Sequence, residues 1–113
     1  MNKKIAIAYV RFVEDDDGKR RPMFIIGETE DKLRFFDITT KYANKSEYMK
    51  SCYFEIIDYQ STGLRKHSWI DTFRAYSLLK LSCRIRYIGN LSNNDTARLR
   101  AFLEKRRNNQ NRQ

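Results

Sequence analysis

The chain has one proline, Pro22, one histidine, His67, one tryptophan, Trp69, two cysteines and four glycines. No apolar stretch approaches the ~18 residues that a membrane helix needs. The opening Met1-Asn2-Lys3-Lys4 leads into a short apolar strand and does not resemble a signal peptide, so the expected location is the cytoplasm. Cys52 and Cys83 stand far apart, with no C-x-x-C spacing and one histidine between them. That set speaks against a zinc site and for two free thiols in a reducing compartment. No cofactor is implied, and any catalysis is expected to be metal-free or to use a metal carried mainly by the substrate.

What the chain does have is charge of one sign. Its 113 residues carry 23 Lys and Arg against 14 Asp and Glu, a formal charge of +9. A field of that sign on a small chain attracts polyanions, of which nucleic acid is the commonest soluble one. Hydrophobic content of 41% argues against global disorder, and the length suits one domain with one modest core.

The patterning is mainly β with one C-terminal helix. Residues 4–13 are rich in β-branched and aromatic types at both parities, which predicts a strand covered on both faces. Asp15-Asp16-Asp17-Gly18 reads as a turn into a strand over 22–27, with Pro22 as its first residue. A further strand is expected at 32–39, with Leu33 and Phe35 on one face and Phe36 and Ile38 on the other. Residues 41–50 read as an irregular loop or short helix. Strand character resumes at 52–59, 72–81 and 83–88, with 64–71 ambiguous. Such a series of short strands fits a small barrel or strongly curled sheet. Ser92, with Asp95 three residues on, resembles a helix N-cap, and Thr96, Leu99, Phe102 and Leu103 share one helical stripe. The helix is expected over 93–107, ending a single domain over 1–107. The apolar-free 108–113 is expected as a disordered tail.

Lys19-Arg20-Arg21-Pro22 runs directly into the apolar Met23-Phe24-Ile25-Ile26. Alone, this is a solvated turn or an arginine held at a strand mouth, where a rigid fork of donors suits a phosphate. Four segments in order give the chain a likeness to a known family. Gly18-Lys19-Arg20-Arg21-Pro22 is similar to a G-x-x-R-P signature, and Asp37-Ile38-Thr39-Thr40 to a P-x-T-T/S strand end. Ile70-Asp71-Thr72-Phe73-Arg74-Ala75-Tyr76-Ser77 resembles x-D-Q-x-R-T-I, and Ile88-Gly89-Asn90-Leu91-Ser92 the x-G-x-L-s-x-e that precedes a helix. Together they resemble the MazF/PemK/Kid toxins of bacterial toxin–antitoxin modules. The opening Lys3-Lys4-Ile5 and the acidic 14–17 run differ from that pattern.

The resemblance implies an SH3-like β-barrel, a homodimer and a metal-independent endoribonuclease. Such an enzyme cuts single-stranded RNA by attack of a 2′-OH on its own phosphate, leaving a cyclic phosphate and a 5′-OH. It also implies neutralisation by an acidic antitoxin protein. Arg21 and Thr39 fall on the family's catalytic positions, Arg21 as an electrostatic clamp and Thr39 as a hydrogen-bonding partner of phosphoryl oxygen or 2′-OH. Thr39 has a second reading, a strand end satisfying its own backbone. Asp71 either orients an active-site group or caps a loop. His67 is nominated for acid–base work by its ordinary pKa, or is an exposed loop histidine.

RNA-binding candidates are Lys19, Arg20, Thr40, Arg65, Lys66 and Arg74. Trp69 or Tyr42 is available to stack on bases, unless Trp69 is a core or interface aromatic. Two other readings share the same charge: a non-catalytic small-barrel RNA-binding protein and a basic protein-interaction module.

Overall fold

In the computed structural model the backbone is described for residues 3–12 and 15–111, and side chains for 3–9 and 20–109. Six strands form one antiparallel sheet: β1 Lys4–Phe12, β2 Asp15–Glu28, β3 Lys32–Thr39, β4 Tyr53–Glu55, β5 Trp69–Leu79 and β6 Arg84–Asn90. Their order across the sheet is β4-β5-β3-β2-β1-β6. A short helix α1, Glu47–Ser51, precedes β4, and a long helix α2, Asn93–Asn111, ends the described chain.

Both faces of the sheet are covered, which explains why β1 is apolar at both parities. On one face Ile5, Phe24, Phe36, Ile38, Phe54 and Ile70 bury against Leu99, Phe102 and Leu103 of α2. On the other, Ala6, Ala8, Met23, Ile25, Leu33 and Phe35 pack with Tyr76, Leu78, Cys83 and Ile85. Leu33 and Phe35 thus oppose Phe36 and Ile38, as alternation requires. Each large apolar side chain so buried stabilises the fold by about 1.5–3 kcal/mol.

Among the described residues no helix packs on the second cluster; residues of β5 and β6 close over it instead. The chain passes from β5 to β6, near the two flanks of the sheet, through a three-residue 3-10 turn at Lys80–Ser82. Glu28, at the end of β2, accepts from Lys80 Nζ at 3.0 Å and Tyr87 Oη at 3.1 Å, which ties the curl together. Among the described residues no ladder joins β5 to β6, so the sheet is not closed into a barrel. Much of the bend in β5 comes from a bulge: Phe35 pairs with Tyr76 but Asp37 with Asp71, so Thr72 to Ala75 oppose Phe36 alone.

Ser92 starts α2 as its pattern predicts, its Oγ accepting the Asp95 N–H at 3.0 Å. Buried Asp95 then accepts the N–H groups of Ile57 and Asp58 at 3.1 and 2.8 Å and pairs with Arg98. This fastens the 56–58 loop to the helix and cuts β4 to three residues, where a strand over 52–59 was expected. The same region needs two glycines. Gly63 has φ +77°, with a Cβ there only 2.3 Å from the Ile88 carbonyl oxygen, and Gly89 lies against the Ser61–Thr62 backbone.

Three further expectations are corrected. Asp15 to Gly18 are strand, not turn, because β2 pairs with β1 as far as Asp15 opposite Phe12. Pro22 therefore sits inside β2; it is tolerated where the β3 ladder has not yet begun, since that ladder starts at Met23. Helix α2 runs to Asn111 and not to 107, because Asn108 to Asn111 contain no glycine or proline to end the backbone ladder. No helix among the described residues is long and apolar enough to cross a membrane.

Candidate active site

Arg21 shares the β2 face of Met23 and Ile25, so alternation aims it at the mouth of the curled sheet. There its Nε and Nη2 donate to the two carboxylate oxygens of Asp37 at 2.8 and 3.0 Å. The guanidinium carbon lies 5.4 Å from the Phe35 ring centre and 5.1 Å from that of Tyr76. Phe35 and Tyr76 themselves stack at 5.8 Å. The hydrogen bond to Asp37 raises the Arg21 pKa above its ordinary value, against the opposing effect of burial. A guanidinium has about five N–H groups, so the fork leaves roughly three directed elsewhere. With 41% of the Arg21 side chain exposed, those donors are open to an anion.

Asp37 stands opposite Asp71 in the β3–β5 register, and Asp71 stands opposite Tyr53 in the β4–β5 register. Two carboxylates thus share one patch, and Asp37 is the one paired with Arg21. Among the described residues no ion pair neutralises Asp71; its Oδ1 accepts the Phe73 N–H at 3.0 Å. Burial, followed by the charges of Asp71, Cys52 and then Asp37, raises the pKa of Tyr53. Arg21, Asp37, Asp71, Tyr53 and Tyr76 therefore form one coupled group of an arginine, two carboxylates and two phenols. Sequence reasoning missed Asp37, Tyr53 and Tyr76. Asp37 and Tyr76 lay inside quoted segments, but only the threonines and Asp71 were taken from them; Tyr53 had no motif to mark it.

The other candidates scatter. Thr39 lies on the same face, two residues beyond Asp37, and its Oγ1 accepts the Lys41 N–H at 3.1 Å, closing the strand end. Thr40 is exposed beside it. His67 Nε2 donates to the Glu55 carboxylate at 2.7 Å and the ring stacks on Trp69 at 4.3 Å, so its contacts lie away from Arg21. Arg65 and Lys66 are exposed in the loop leading to it. Arg20 has the opposite parity to Arg21 in an unbroken register and so points to the other face of the sheet. The side chain of Lys19 lies outside the described residues. Arg74 is exposed in the β5 bulge, 5.8 Å over Phe73.

Trp69 offers no open face. Tyr42 stacks on one side of it at 4.7 Å and 4°, and His67 on the other. Lys50 covers Tyr42 at 5.3 Å, and Tyr59 lies against His67 at 6.1 Å. The column Lys50–Tyr42–Trp69–His67–Tyr59 is a wall of the fold, which decides for the packing reading of Trp69 over base stacking.

Cys52 and Cys83 are both free thiols, and burial pushes the Cys83 thiol pKa up. Among the described residues no three His, Cys, Asp or Glu side chains converge in a way that would hold a metal ion. Neither the family models nor the curated proteins compared with this chain match it.

Proposed function

We propose that the protein is a metal-independent endoribonuclease of the MazF/PemK type, cutting single-stranded RNA at the Arg21 site. The observation that carries this reading is the Arg21–Asp37 fork beside the unneutralised Asp71. Attack of a 2′-OH on the adjacent phosphate needs a base for the hydroxyl proton, positive charge at the phosphoryl oxygens and a proton for the departing 5′ oxygen. Asp71 takes the first role, the free N–H groups of Arg21 the second, and Tyr53, kept protonated by burial and its carboxylate neighbours, the third. The bond formed is 2′-O to phosphorus and the bond broken is phosphorus to 5′-O, giving a 2′,3′-cyclic phosphate and a 5′-OH. Asp37 is a positioning residue, since it holds the fork. Thr39, at the strand end beside it, has a hydroxyl hydrogen left to donate to a phosphoryl oxygen.

The same reading carries an SH3-like curled sheet, a cytoplasmic homodimer and an acidic antitoxin that competes with RNA for Arg21. Incubating the purified protein with a long mixed-sequence RNA in EDTA tests it. Discrete fragments with 5′-OH and cyclic phosphate ends are expected, and Arg21→Ala and Asp71→Asn should abolish them with unchanged circular dichroism. A gel shift without fragments would mean binding alone, and cleavage by Arg21→Ala at the wild-type rate would remove the arginine from the site.

A further inference from the structure

With both faces of Trp69 occupied, a nucleobase has no ring to lie on in the aromatic column. Phe73 and Tyr48, near Asp71, do stand open. The bulge Thr72–Ala75 throws Phe73 off the sheet, and the Asp71 carboxylate fixes it there by accepting its N–H at 3.0 Å. Tyr48 comes from α1, whose N-cap Ser46 accepts the Met49 N–H at 3.2 Å and so sets the helix. The two rings meet edge to face, 6.1 Å apart at 86°, with 42% of Phe73 and 62% of Tyr48 exposed. Unlike the parallel column, an edge-to-face pair leaves ring surface uncovered. Arg74 lies over Phe73 and adds positive charge.

We propose that Phe73 and Tyr48 form a nucleobase subsite that takes the unpaired base next to the phosphate held by Arg21. It rests on the ribonuclease reading of the Arg21 site. Three features of the patch fit a base better than a protein partner. First, β2, β3 and β5 are successive neighbours and Arg21 stands two residues from Met23, the partner of Asp37, so the Arg21 and Asp71 backbones are about 12 Å apart, a span that the Arg21 side chain and one nucleotide bridge. Second, Tyr48 and Phe73 meet as a single pair of rings, and two rings fall far short of the ~800 Å² per partner of a standard protein interface. Third, Arg74, which lies over Phe73, suits the phosphates that flank a stacked base.

A 2′-O-methyl oligoribonucleotide, which lacks the attacking hydroxyl, isolates binding from cleavage. With 2-aminopurine placed at successive positions, the full-length protein should quench fluorescence strongly at one position through ring stacking. Phe73→Ala should lose that quenching and bind about five- to a hundredfold more weakly, while Phe73→Trp restores both. On natural RNA, Phe73→Ala should also spread the distribution of cleavage positions. Absence of position-specific quenching by the wild type, or unchanged affinity of Phe73→Ala, overturns the subsite. So does a change in sedimentation of Phe73→Ala without a change in quenching, which would make the pair a protein contact. Failure of the ribonuclease reading is separately visible, as intact natural RNA in EDTA with the wild-type protein.

Discussion

Replacing Asp37 with Asn isolates the fork, because it keeps the shape of the side chain and removes its charge. One amide oxygen still accepts a single N–H from Arg21, but the new NH2 faces a second donor, so the bidentate contact at 2.8 and 3.0 Å is lost. A buried pair of this geometry would matter by several kcal/mol. Here 41% of the arginine and 26% of the aspartate side chain are exposed, and screening brings the expected loss down to about 1 kcal/mol. In a chain of this size that lowers the melting temperature by about 4 °C. The functional loss should exceed the structural one. A guanidinium freed to swing by about 1 Å costs on the order of a hundredfold in rate, although it remains charged. Thermal melts of wild type, Asp37→Asn, Arg21→Ala and the double variant give the coupling, expected near 1 kcal/mol. Single-turnover cleavage of an RNA oligonucleotide in EDTA gives the rate. Strictly additive melts would refute the fork, and wild-type turnover by Asp37→Asn would refute its positioning role.

Two other predictions probe the scaffold and the electrostatics. Asp95→Ala strands the Ile57 and Asp58 N–H groups and removes the Arg98 partner, so a loss of about 3 kcal/mol is expected by urea denaturation; a change under 0.5 kcal/mol would show that the loop is not fastened there. Tyr53 and Tyr87 have raised pKa values, both chiefly from burial, so they should ionise above the ordinary tyrosine range in an absorbance titration. The sign follows from linkage: the unfolded chain loses these protons first, so their contribution is intact below the ordinary tyrosine range and is lost as pH rises through the folded values. Replacing Tyr53 with Phe should remove one late-titrating group, and an unchanged titration curve would contradict its shift.

Much of the β framework was legible because it depends on local periodicity. Alternation assigned Leu33 and Phe35 against Phe36 and Ile38, and both faces proved buried. Ser92 and Asp95 marked the start of α2 for the reason that holds it in the structure, a cap bond at the first turn. The limits of elements were less legible, since the 56–58 loop is set by a carboxylate 37 residues or more away in sequence. Of the site, Arg21 and Asp71 stood out in the sequence, one before an apolar strand and the other within a motif-like segment.

By itself the sequence determined the sign of the charge, the mainly β architecture and the position of the long helix. Each of these follows from composition or from a repeat of two or 3.6 residues, which a chain carries without folding. Only the tertiary structure decided which groups meet. Register put Asp37 opposite Asp71 and beside Met23, within diagonal reach of Arg21, parity turned Arg20 to the other face, and loops with no periodic signal closed both faces of Trp69. The four-residue bulge in β5 made the last choice, because a bulge resets the alternation and its position depends on the strands on either side. It left Phe73 and Tyr48 as the open rings beside the carboxylates.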